Sequence, residues 1–347
     1  MLALQKVQPK AGIELRDVPE ITEIAANDVL IRTEATGICG TDLHIALWTP
    51  GYESMQSAMP VTLGHEFSGT ITAIGTGLDA GIVGKRVTVR PSVVCGKCAA
   101  CLAGDDDNCT GRKGIGIGRN GAFAAFVAVP FVNCVEVPDG LDPEVAALTE
   151  PMTVCAEAVD TAEIKRGDRV LVLGPGTIGQ GIALFTEAAG ASEVVICGRD
   201  DDARLGTLNA LGFKATVDTK ERSLAEALQP FIEHGKFDAI IEATGAPQIV
   251  EEALPFLKKR GIFVIAGIHP RPATIDLTLL VRQHQQIRGS YRAPVETWSR
   301  VLSFLSSNQE RVRKLITHRV DLADAERGFE FARNKMASKV MIWHQQA

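Results

Sequence analysis

The pattern of apolar positions changes character once, near residue 170. Before that point, short apolar segments (29–31, 61–73 and 85–90) alternate with turn-forming residues such as Pro9, Gly12, Pro19 and the Asn27-Asp28 pair. Short runs bounded by Gly, Pro, Asn and Asp predict strands joined by turns. The first part of the chain therefore reads as an irregular, all-β-like domain. A further strand is predicted over 127–129, Pro138-Asp-Gly140 is a turn, and 143–148 starts a helix that leads to Glu150.

Beyond residue 170, apolar runs of strand length recur between helical stretches. They predict six strands, at 170–173, 193–197, 215–217, 237–241, 262–266 and 286–289. Strands alternating with helices point to a parallel, doubly wound α/β sheet. A helix over 298–305 follows, with Val301, Leu302 and Leu305 on one apolar face.

The first of these strands runs into Gly174-Pro-Gly176-Thr177-Ile178-Gly179 and then a helical stretch through Ala189. A Gly-x-Gly-x-x-Gly run between a strand and a helix is a dinucleotide fingerprint. The glycines permit a tight turn, and the helix N-terminus offers amide N–H groups to a pyrophosphate. Thr244 with Gly245, and Gly267 with Ile268, end the fourth and fifth strands, where ligands bind in such sheets. Ordinary turn glycines are the alternative there.

An acidic residue that grips the ribose hydroxyls of NAD is expected about twenty positions after the fingerprint. The second strand ends at Cys197, and the next residue is instead Gly198, followed by Arg199. Glycine neither accepts a 2′-hydroxyl nor repels a 2′-phosphate, and an arginine pairs with that phosphate through two charge-assisted bonds. Arg199, with Arg204 in support, therefore predicts NADP over NAD. Against this, Asp200, Asp201 and Asp202 follow at once. A shift of two positions would restore a ribose-binding acid, although the run also suits the cap of the next helix.

A length of 347 residues suits two domains, and 46 % hydrophobic with 22 % charged residues is ordinary for a well-cored protein. A net charge of −6 argues against a nucleic-acid partner. No opening signal and no apolar run of roughly 18 residues is found, so a cytoplasmic protein without a membrane span is expected. In such a reducing compartment, eight cysteines point to metal or packing rather than disulfides. Cys95, Cys98, Cys101 and Cys109 fall in one fifteen-residue window. Four thiols so spaced close a tetrahedral structural zinc site. Asp105, Asp106 and Asp107 inside that loop read as solvated surface, and Cys134, Cys155 and Cys197 as core.

A second metal centre is predicted from Gly37-Ile-Cys39-Gly-Thr41-Asp42, Gly64-His65-Glu66 and Glu150-Pro151. A thiolate, an imidazole and carboxylates are the mixed ligands that suit a catalytic zinc, which keeps one position open. Cys39, His65 and Glu150 are the expected ligands, with Glu66 close behind or exchanging. Thr41 would bond the substrate oxygen and relay its proton, with His44 continuing the relay. A capping hydroxyl and a surface histidine are the alternatives. Bound zinc makes a strong base unnecessary, because it lowers the pKa of a coordinated oxygen acid by many units.

The Gly37 to His44 run and Gly64-His-Glu-Phe67 resemble the zinc-dependent medium-chain alcohol dehydrogenase family nearly end to end. Thr149-Glu150-Pro151 is similar to its sorbitol (polyol) and threonine dehydrogenase branches, where Glu replaces a ligand Cys. The Gly121 to Phe126 run departs from the family's usual Gly-Gly-Phe-Ala-Glu-Tyr-like form.

The resemblance implies a GroES-like barrel over 1–151 with a zinc loop at 91–112, a dinucleotide-binding domain over 152–289, and a return segment over 290–347. It implies a homodimer or homotetramer, two zincs per chain and a small secondary alcohol, a polyol or vicinal diol, as substrate. Arg292, in Gly-Ser-Tyr-Arg, stands where the polyol dehydrogenases carry an arginine in a Gly-x-Phe-Arg run, which implies that Arg292 approaches Glu150 and the substrate; a plain surface arginine is the alternative. The Arg292 region and 315–320 lean towards polyols, whereas His44-Ile45 and Trp48 resemble L-threonine 3-dehydrogenases. A non-catalytic dinucleotide sensor would have lost Cys39, His65 or Glu150, and all three are present.

Overall fold

The computed structural model describes residues 1–344. It divides into two compact units, Met1–Glu150 with the chain from Leu302 onward, and Pro151–Val301. The chain returns to the first unit at Leu302, inside the helix Val295–Ser307.

The first unit is built on a seven-stranded sheet. Its central strand is Asp28–Gly37, flanked by Glu66–Ile74 on one side and, from the far end of the chain, by Lys339–Trp343 on the other. Phe126–Pro130 also pairs with the central strand. Burial along that strand alternates from Asp28 to Glu34 and then becomes continuous over Ala35, Thr36 and Gly37. Alternation marks a strand with one face on the core; continuous burial marks the end covered on both faces, and Cys39 follows it. Val29, Ile31, Phe67, Ile71, Val87, Val127 and Val129 fill one core cluster. Each such side chain contributes about 1.5–3 kcal/mol on full burial.

The second unit is a six-stranded parallel sheet. Its strands are β1 (Arg169–Leu173), β2 (Glu193–Gly198), β3 (Thr216–Asp218), β4 (Phe237–Glu242), β5 (Leu257–Ile265) and β6 (Gln286–Gly289). They lie in the order β3-β2-β1-β4-β5-β6. The order reverses between β1 and β4, which puts a ligand crevice at the C-terminal ends of those two strands. The turn after β1 needs its glycines: Gly174 has φ +108°, and a Cβ on Gly179 would lie 1.7 Å from the Gly174 carbonyl oxygen. The helix Thr177–Ala188 starts directly beyond.

β5 begins five residues before the expected 262, because Lys258, Lys259 and Arg260 are exposed and interrupt the apolar pattern. Cys155 and Cys197 are buried as expected, whereas Cys134 is only partly so. Asp105, Asp106 and Asp107 are exposed.

Candidate active site and metal centres

Cys39 stands between the central strand and the helix Gly40–Leu47. Its N–H donates to Asp42 Oδ2 at 2.9 Å, so a carboxylate three residues on ties down the helix start. His65 follows Gly64, whose φ is +91° and whose Cβ would lie 2.8 Å from Phe123. Glu66 opens the strand paired with the central one, directly opposite Gly37. These connections bring donor atoms of Cys39, His65 and Glu66 within 4.8 Å of one another.

The surroundings are acidic and buried. Asp42 Oδ1 lies 3.7 Å from His65 Nδ1, and neither atom has a hydrogen-bond partner among the described residues. With Nδ1 turned to a carboxylate, Nε2 is the ring nitrogen that a metal would take. Burial pushes the Cys39 thiol and the Asp42 carboxyl up, and it raises Glu150 to about 7 with Glu66 adding to the effect. Burial disfavours charge on His65, but Cys39 and Asp42 outweigh it and hold the imidazole well above its usual range. Four acids thus share a buried space with one permanent cation, Lys339. A thiolate–imidazole–carboxylate set with that surplus of negative charge fits a divalent zinc.

Glu150 lies outside the tight triad, at the start of the helix Thr149–Thr161, with His65, Glu66 and Lys339 among the charges that act on it. The structure therefore brings Glu66, rather than Glu150, closest to Cys39 and His65. Thr41 is half-buried and His44 exposed, one turn apart on the same helix. His44 Nδ1 lies 3.3 Å from Thr49 Oγ1. Lys339 was not anticipated. Its ammonium donates to Glu66 Oε2 at 2.6 Å and to the Ile38 carbonyl at 2.9 Å. A lone lysine opening the apolar run Lys339-Val-Met-Ile-Trp343 is the signal that could have marked it as paired, though not with which partner, since buried lysines are almost always paired.

Cys95, Cys98, Cys101 and Cys109 form the second cluster, with all four sulfurs within 4.8 Å. The Cys101 and Thr110 amides hold the Cys98 thiol down at about 5. Four thiols at that spacing, one already favoured as thiolate, fit a closed tetrahedral zinc site.

In the second unit the cofactor candidates collect along the ends of β1, β2, β4 and β5. Gly174, Gly176, Thr177, Ile178 and Gly179 form the turn, and Gly198 packs where a Cβ would meet Pro175 at 2.9 Å. Arg199 is exposed. Asp200 Oδ1 is paired with Lys220 Nζ at 2.7 Å, so the acid that would restore ribose binding is already engaged. Asp201, at the N-cap position, is buried and pairs with Arg204 at 3.4 Å, which turns Arg204 inward. Thr244 commits its hydroxyl to Glu242 and to the Ala246 N–H. Gly267 packs against Gly245, and Ile268 is exposed. Arg292 has φ +64° and lies over the Tyr291 ring, 4.7 Å from its centre.

Residues 25–139 match the family model of the alcohol dehydrogenase GroES-like domain, and residues 177–307 that of the zinc-binding dehydrogenases. An L-threonine 3-dehydrogenase of Rhizobium johnstonii is 34 % identical over 99 % of this chain and 98 % of its own. An alcohol dehydrogenase (rspB) of Escherichia coli CFT073, solved with NADH, superposes with TM-score 0.86 at 27 % identity over 99 % of both chains. A zinc-binding dehydrogenase of Sinorhizobium meliloti 1021, solved with NADP, gives 0.83 at 29 % identity over 99 % of this chain and 98 % of its own. The chain belongs to the zinc-containing medium-chain alcohol dehydrogenase family, with its GroES-like and Rossmann-type domains, and is an NAD(P)-dependent oxidoreductase. Among the described residues no helix is long and apolar enough to cross a membrane.

Proposed function

We propose that this enzyme oxidises a small secondary alcohol bearing a second heteroatom on the neighbouring carbon, with NADP preferred over NAD. Vicinal diols and polyols belong to that class. So does L-threonine, a 2-amino-3-hydroxy acid and the substrate named for the Rhizobium relative. The reading is carried by the convergence of Cys39, His65 and Glu66 within 4.8 Å among buried acidic groups.

Cys39 and His65 hold the catalytic zinc, and Glu150 and Glu66 share the third position, Lys339 drawing Glu66 away from it. Zinc and the nicotinamide cofactor, when bound, supply the Lewis acid and the hydride acceptor. The chain's own groups then move the proton. The half-buried Thr41 hydroxyl accepts it from the substrate oxygen, and the exposed His44 on the same helix face hands it to solvent. Residues three apart on a helix are neighbours, which gives the relay its outward direction. Cys95, Cys98, Cys101 and Cys109 hold a second, structural zinc. Arg199 pairs with the 2′-phosphate, and a dimer or tetramer is the working assembly.

The test is a panel of vicinal diols, polyols and L-threonine with NADP⁺ and NAD⁺, followed by nicotinamide absorbance on protein of measured zinc content. Oxidation of at least one of these with about two zincs per chain is expected. Protein carrying both zincs yet oxidising only simple primary alcohols would refute the substrate class.

A further inference from the structure

The Glu242 carboxylate, the last side chain of β4, is fully buried and faces four donors. On one oxygen it accepts from the Thr244 N–H and hydroxyl, both at 2.5 Å, and from the Gly245 N–H at 2.8 Å. On the other it meets His269 Nε2 at 2.9 Å. Three donors come from the loop that directly follows β4. Only His269 reaches over from the loop after β5, so it is the one side chain among these donors that ties the two loops together.

The loops themselves touch backbone to backbone. A Cβ on Gly267 would lie 2.4 Å from the Gly245 nitrogen and 2.6 Å from Glu242 Oε2, and one on Gly245 would lie 2.5 Å from the Ile268 carbonyl oxygen. Gly267 N–H and Ala266 N–H both donate to the Glu242 carbonyl, at 3.1 and 2.8 Å. The clamp borders the phosphate turn, since a Cβ on Gly174 would lie 3.0 Å from Thr244 Cγ2. In a doubly wound sheet each half binds one nucleotide of the cofactor. A dinucleotide in this crevice would set its adenosine half against β1 to β3 and its nicotinamide half towards the loops after β4 and β5.

We propose that His269 is a positioning residue for the nicotinamide half of the cofactor, acting through Glu242. Its Nε2–H, fixed on the buried carboxylate, holds the 266–268 loop against the 243–246 loop. Thr244 belongs to the same frame, because its hydroxyl is already spent on Glu242 and Ala246. The inference rests on the dinucleotide reading of this crevice.

The test compares the full-length, zinc-loaded enzyme with its His269→Ala and His269→Gln variants. Two ligands are titrated into each: the preferred reduced dinucleotide, and its adenosine half alone (2′,5′-ADP for NADPH, 5′-AMP for NADH). His269→Ala should raise the dinucleotide Kd about tenfold, the scale of one lost hydrogen bond to a charged group, and leave the adenosine-half Kd unchanged. His269→Gln, which keeps an N–H donor, should recover most of the loss. Misfolded protein lowers the binding capacity for both ligands and leaves the ratio of the two Kd values intact. An unchanged ratio in His269→Ala, or a Gln variant as weak as the Ala variant, overturns the proposal. Failure of the unaltered enzyme to bind either dinucleotide overturns the underlying reading as well.

Discussion

The Lys339 ammonium meets Glu66 Oε2 at 2.6 Å across the bare Cα of Gly37, both side chains being almost fully buried. Gly37 pairs with Glu66 on one neighbouring strand and with Met341 on the other. A Cβ at Gly37 would lie 2.4 Å from Glu66 Oε2 and 3.4 Å from Lys339 Cδ. The ion pair next to Cys39 therefore depends on a residue without a side chain in the central strand.

Removing one partner of a buried pair leaves an uncompensated charge and costs about 3–5 kcal/mol. Lys339→Met should lose stability on that scale in urea unfolding, and Glu66→Gln added to it should restore part of the loss. If the two changes are simply additive, the pair is not coupled and its place beside Cys39 and His65 has no energetic content.

The two cysteine sites should respond oppositely to substitution. Cys101→Ala opens the four-sulfur cluster; a zinc held there would contribute folding free energy, so the melting temperature and zinc content should fall together. Cys39→Ser should keep about one zinc and the fold while losing almost all activity. A Cys39→Ser enzyme with full turnover would remove Cys39 from the catalytic centre.

What could be read from the sequence was what short spacing encodes. The Gly174 to Gly179 turn and the four clustered cysteines each lie within a short window, and the alternation of strands and helices marks the six-stranded, doubly wound sheet; the order of its strands left no such mark. Lys339 is 273 residues from Glu66, and His269 is 27 from Glu242. Partners brought together only by strand order leave no local pattern. The choice between Glu66 and Glu150 beside Cys39 is of the same kind, since it depends on where a helix start meets a strand end. β5 escaped its first five residues because exposed lysines and an arginine hid them.

Cofactor preference should respond to Arg199. Arg199 is an exposed residue directly after Gly198, while Lys220 pairs with the Asp200 carboxylate. A hydrogen bond to a charged group contributes roughly 1.5–3 kcal/mol. Arg199→Ala should therefore lower kcat/KM for NADP⁺ about ten- to a hundredfold and leave that for NAD⁺ within about twofold. Equal losses with both cofactors would mean that Arg199 does not read the 2′-phosphate.

His344 gives the fold a pH dependence of definite sign. Its Nε2 lies 3.1 Å from Thr36 Oγ1, and burial drives its pKa from 6.5 down to about 4. The folded protein thus keeps the ring neutral under conditions where the unfolded chain takes a proton. Above pH 6.5 neither state is charged and the group has no effect. As pH falls from 6.5 towards 4, the unfolded state binds more protons and stability drops. The two pKa values give about 2 kcal/mol lost by pH 5. Urea unfolding of the unaltered protein and of His344→Gln between pH 5 and 7.5 isolates the term, because the carboxylates titrate alike in both. The glutamine variant should show the shallower fall by about that amount. Parallel curves would mean that His344 is protonated equally in the folded and unfolded chains.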